Sequence, residues 1–132
     1  MKAEAILYAL LTGAGPVTAI VGTRIYPAML PLGIATPAIV VELVSSVHAG
    51  RIDATASTHL YRSRMQVNLL GPDYAVLYTL RAAVIDALRF QRGAIAGATV
   101  HTVATDNEGP VTFDEQLGIF NRPLDFVVHH TA

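Results

Sequence analysis

The stretch HLYRSRMQVNLLGPD, residues 59–73, decides the fold. Tyr61, Met65, Val67 and Leu69 share one parity, while Arg62, Arg64, Gln66 and Asn68 share the other. Successive side chains on a strand point to opposite faces, so this alternation predicts a strand with one face on a core and one facing water or a partner. Gly71-Pro72-Asp73 then opens a helix, with proline early and an aspartate at the positive helix end. Leu77, Leu80, Val84 and Leu88 form its core stripe. Arg89 and Arg92 are expected in its last turn and Gly93 at its end.

Upstream, Ile6, Leu7, Leu10 and Leu11 predict an amphipathic helix over residues 3–12, stopped by Gly13 and Gly15. Pro16, Val17, Ile20 and Val21 predict a short helical turn ending at Gly22. Arg24-Ile25-Tyr26-Pro27 reads as a brief extended segment, and residues 28–37 as a loop. The β-branched run 38–44 predicts a strand, and the small, polar residues 45–58 a long hairpin loop. Downstream, residues 95–105 predict a strand, 106–115 an acidic, turn-rich loop, and 117–130 a last strand. Pro123 is expected to mark an edge position or a bulge there. The expected architecture is α+β: a mainly antiparallel sheet of about four strands packed against one long helix, with an N-terminal helix and a short helical turn. Residues 1–132 read as a single domain.

Composition narrows the function. The 132 residues are 52% hydrophobic and 14% charged, with a formal net charge of −1. That is poor in charge for a lone soluble domain, as expected of a surface partly hidden against partners. Eight arginines accompany one lysine, Lys2. Guanidinium forks suit protein interfaces, although a bias toward arginine codons accounts for the ratio equally well. The charge balance carries no signature of sequence-specific nucleic-acid binding. With no cysteine, neither a disulfide framework nor a thiolate metal site can form. The N-terminal apolar run is broken by Glu4 and reads as a helix, not a signal peptide, and no stretch is long enough to span a bilayer.

The search for chemistry finds no nucleotide, hydrolase or metalloprotease motif, so no catalytic residue and no cofactor is expected. His129 and His130 point to opposite faces, and a metal site from His59, His101 and a carboxylate is only conceivable. Asp106, Glu108, Asp114 and Glu115 place four carboxylates close together, either as a solvated turn or as an electrostatic contact with a partner or the negative wall of a channel. Arg62 and Arg64, with Arg51 in the preceding loop, could meet that acidic segment in a neighbouring copy. These seven residues are the candidate interface.

The opening helix, the Val17–Gly22 turn and Arg24-Ile25-Tyr26-Pro27 resemble the start of siphophage tail completion (tail terminator) proteins. The similarity continues through the strand after Pro37, the strand 59–70, the helix ending Asp86-Ala87-Leu88-Arg89, and two closing strands. The resemblance implies a non-enzymatic subunit that forms a homo-oligomeric ring, often a hexamer, on the tail tube. Such a ring stops tube polymerisation and docks to the head connector. It further implies a virion location in tail or neck after assembly in the host cytoplasm. Its partners would be the tail tube protein, a neck protein and further copies of itself, with DNA passing through the lumen and no membrane involved. Another neck or head-completion adaptor is the neighbouring alternative, and a small-molecule binding domain the alternative from a different class.

Overall fold

The computed structural model describes residues 2–28, 33, 35–48 and 60–131. Helix α1 (Lys2–Thr12) and helix α2 (Gly15–Val21) meet at an 86° bend. Strands β1 (Ile25–Pro27), β2 (Ala38–His48) and β3 (Leu60–Gly71) follow, then helix α3 (Tyr74–Leu88). Strands β4 (Gly93–Ile95), β5 (Ala98–Glu108), β6 (Thr112–Asp114) and β7 (Ile119–Thr131) complete the chain. They form one seven-stranded sheet in the order β1-β2-β3-β7-β5-β4, with β6 also pairing with β7. All pairings are antiparallel except that of β1 with β2.

The α+β class and the mainly antiparallel sheet stand, but the expected four strands and one long helix do not. The three additional strands are only three residues long, too short to show alternation. The expected strand 95–105 is split by a turn at Ala96 (φ 51°) and Gly97 (φ 79°), two successive left-handed residues that make β4 and β5 a tight hairpin. Strand β2 runs on to His48 through a register shift between Leu43 and Ser45, so residues 45–48 are paired strand, not loop. Residues 49–59, including Arg51 and His59, lie outside the described residues.

The alternation in β3 is realised. Met65, Val67 and Leu69 are fully buried, while Arg62 and Arg64 are exposed. On β7 the even positions Leu124, Phe126, Val128 and His130 face the same core. Ala3, Ile6, Leu7 and Leu11 of α1, Val17 and Val21 of α2, and Leu77, Leu80, Val84 and Leu88 of α3 cover this face.

Helix α3 starts where the sequence suggests. The Asp73 carboxylate accepts a hydrogen bond from the Val76 N–H at 2.9 Å, satisfying one of the helix's free amides. Asp73→Ala is expected to lower stability by about 1 kcal/mol and Asp73→Ser to retain most of it, as read by urea denaturation. The helix ends earlier than expected. Arg89 is already extended (ψ 131°) and Phe90 is left-handed (φ 62°), so Arg89 and Arg92 lie beyond the last turn.

Strand β7 is the largest departure. It lies inside the sheet, between β3 and the β5–β6 pair, and is not an edge. Pro123 is tolerated because its carbonyl receives the Gly109 N–H at 2.9 Å, in the break between β5 and β6. Its missing N–H falls on that same side, where the ladder is already interrupted.

Candidate assembly surfaces

Of the candidate residues, Arg62, Arg64 and Asp106 gather on one face of the sheet and Glu108 on the other, while Asp114 and Glu115 lie at the β6–β7 turn. On the face away from the helices, Arg64 Nη2 lies 2.5 Å from Asp106 Oδ2, and Arg64 Nε donates to the same oxygen at 3.2 Å. Asp106 reaches across because the register shift between Thr105 and Asn107 takes it out of the β5 ladder. The hydrogen bond and the charge of Asp106 raise the Arg64 pKa above its ordinary value. Desolvation opposes the shift, and Asp125 adds a smaller push in the same direction. Beside this pair, Asn68 donates to Gln66 and Gln66 to Asp125, both at 3.4 Å. Arg62 is exposed at the start of the same row.

On the helix face, Arg81 Nε of α3 donates to Glu108 Oε1 of β5 at 2.8 Å. Arg122 of β7 stands 4.0 Å from the other Glu108 oxygen and 3.5 Å from the Tyr74 hydroxyl. One carboxylate therefore serves two guanidinium groups, which leaves the cluster a surplus positive charge. Next to it, α3 and β5 enclose an open groove of about 650 Å³, whose lining includes Arg81, Asp86, Arg89, Asp106 and Glu108.

At the far end of the sheet, Ser46, Ser63 and His130 form a hydrogen-bonded row: Ser46 Oγ to Ser63 Oγ at 3.0 Å, then Ser63 Oγ to His130 Nε2 at 2.7 Å. His130 Nδ1 is 2.7 Å from the Thr131 carbonyl, which can only accept, so Nδ1 carries the proton. In the neutral ring Nε2 then accepts from the Ser63 hydroxyl. Ser63 and His130 are buried, and a backbone carbonyl stands where a Ser-His-Asp triad has its carboxylate. The row satisfies polar groups inside the core. Among the described residues no group of three or more His, Asp or Glu side chains converges on a metal position.

Asp106 and Glu108, expected in a loop, are on β5, and each is paired with an arginine of its own chain. Asp114 closes the β6–β7 turn. Its Oδ1 accepts from the Gln116 and Leu117 N–H groups at 3.0 and 3.1 Å, and its carbonyl from Gly118 at 2.8 Å. Glu115 is exposed at that tip. Sequence reasoning missed the exposed apolar residues, among them Tyr74, Tyr78, Phe90, Phe113 and Leu117. Tyr74 and Tyr78 had a signal: they stand four apart on α3 and off the stripe of Leu77, Leu80 and Val84, so they had to face outward.

The described residues form a two-layer α+β domain, helices on one face of a sheet, with unlike charged surfaces and several large exposed apolar side chains. The family profile described as tail completion protein gp17 matches residues 5–121, and the chain belongs to that family. Among solved structures, a chain from the virion of a native gene transfer agent (GTA) particle has the same fold. The TM-score is 0.74 at 20% identity, over 98% of this chain and 94% of that one. No curated protein sequence matches.

Proposed function

We propose that this chain is a tail terminator subunit. Copies of it form a ring, a hexamer in this reading, on the end of the tail tube. The ring stops tube polymerisation and presents the surface to which the head connector docks. The match to a tail completion family across residues 5–121 carries this reading. The physical chemistry agrees with it: the chain has only 14% charged residues, and Phe90 (72% exposed), Tyr78 (66%) and Leu117 (64%) stand in solvent in the isolated subunit. Interfaces favour aromatic side chains and exclude charge from their cores. In the same reading the protein folds in the host cytoplasm, ends in the virion at the tail–neck junction, uses no cofactor, and lets DNA pass without reading its sequence.

Deleting the gene tests the proposal. The expected result, read by electron microscopy of lysates, is tails of irregular, excessive length and heads without tails, both corrected by the gene supplied in trans. Tails of normal length joined to heads in the deletion would overturn it. Tails of normal length that stay detached from heads would reassign the chain to a neck adaptor.

A further inference from the structure

Two exposed surfaces at opposite ends of the subunit are unlike each other and complementary. The first is the tip of the β6–β7 hairpin. Phe113 is 50% exposed and packs on Phe120 with ring centroids 4.6 Å apart and planes tilted by 46°, while Leu117 is 64% exposed and follows Glu115 by two residues. The tip is a formed knob: Asp114 holds the Gln116 and Leu117 amides, and Gly118 (φ 67°) closes the turn. An apolar side chain fixed at a turn apex beside a carboxylate has its conformational cost largely met before binding.

The second surface is the turn from α3 to β4. Here Phe90, 72% exposed, is held left-handed at φ 62°, a conformation bulky residues seldom adopt. Its N–H is tied to the Val103 carbonyl at 2.8 Å. The Arg89 guanidinium lies 5.3 Å from the centre of the Phe90 ring, and Arg92, two residues further on, is exposed. No carboxylate of the described residues forms an ion pair with Arg89 or Arg92. Strain that holds an exposed aromatic ring against a guanidinium, in a turn that carries a second exposed arginine, suits a binding surface.

These surfaces cannot meet within one subunit. Gly71 pairs with Phe120 next to the tip, whereas Val103, which anchors Phe90, pairs with Val128. Along β7 that separation is about 26 Å at about 3.3 Å per residue. We infer that copies of this chain join head to tail, with the β6–β7 tip of one (Phe113, Glu115, Leu117) seated on the α3–β4 turn of the next (Arg89, Phe90, Arg92). The acidic, apolar knob and the basic, aromatic turn match in charge and in hydrophobicity. A heterologous contact of this kind generates a closed ring when its rotation closes. The inference rests on the ring-forming reading above and names the surfaces that make the ring.

The absence of cysteine makes the test clean, because every thiol crosslink reports an introduced pair. Chains carrying Leu117→Cys and chains carrying Phe90→Cys are mixed, with and without tail tube protein, and treated with a short bismaleimide. The expected product is a covalent dimer joined through positions 117 and 90, identified by peptide mass. A chain carrying both substitutions should give a ladder ending at the ring size. As a second measurement, Glu115→Arg and the pair Arg89→Glu/Arg92→Glu should each raise the concentration needed for assembly at least tenfold without moving the urea midpoint, and the chain combining all three should regain assembly. Wild-type assembly with no 117–90 crosslink, or with both charge variants assembling normally, overturns this interface and leaves the ring reading standing. A wild type that assembles neither alone nor with tubes overturns both.

Discussion

Phe126→Ala is expected to lower the free energy of unfolding by about 3–5 kcal/mol, near the upper end for a single core truncation. Phe126 is 1% exposed and sits in the middle of β7, opposite Met65 of β3 and beside Thr105 of β5. Strands on both sides pin its backbone, so the neighbours cannot close the cavity by shifting a free edge. Against the 5–15 kcal/mol typical of a whole domain, a loss of about 3–5 kcal/mol is a large part of the total. Urea denaturation should show a fall in midpoint with an unchanged slope. A loss below about 1 kcal/mol would mean that β7 can relax, as an edge strand would.

Gly109→Ala is the second large effect, and its cause is contact, not conformational freedom. A Cβ at Gly109 would overlap the ring of Pro123, which is closed and cannot swing aside. Gly109 also donates its N–H to the Pro123 carbonyl at 2.9 Å, so moving apart breaks a backbone bond that ties the connection between β5 and β6 to β7. The expected cost is about 1–3 kcal/mol, as for an overpacked core position. Because the β6–β7 tip is carried on this joint, assembly should fall more than stability does. Hydrogen exchange should quicken at Gly109 and across Thr112–Asp114. Unchanged exchange and unchanged assembly would show that the joint tolerates a wider gap than its geometry allows.

The long elements were legible because their periodicity extends over enough residues. Met65, Val67 and Leu69 mark β3, and Leu77, Leu80, Val84 and Leu88 mark α3, without knowledge of any neighbour. The three-residue strands β1, β4 and β6 have no such periodicity: β1 was legible only as the brief extended segment ending at Pro27, and pairing partners make all three strands. Pro123 pointed to an edge position or a bulge by a sound rule; β7 is interior, and the sheet places a ladder break opposite that one residue. Sheet order depends on long-range pairing, and local pattern does not carry it.

The candidate surfaces were legible only by residue type. Arg64 and Asp106 are far apart in the chain and meet through a bulge, and Arg81 reaches Glu108 from helix to strand. Both contacts became visible only in the folded chain. Asp114 and Glu115 were picked out as carboxylates, but the apolar partners that make their turn a knob, Phe113 and Leu117, were not. Arg89 and Arg92 read naturally as helix-end charges. The early stop of α3 at Leu88 turns them and Phe90 into a surface instead.

The mass of the protein in solution, measured by light scattering alone and then with tail tube protein, tests the central claim most directly. The account predicts a closed ring of defined size, either free or formed when monomers meet the tube. A monomer that stays monomeric and ignores the tube would contradict it.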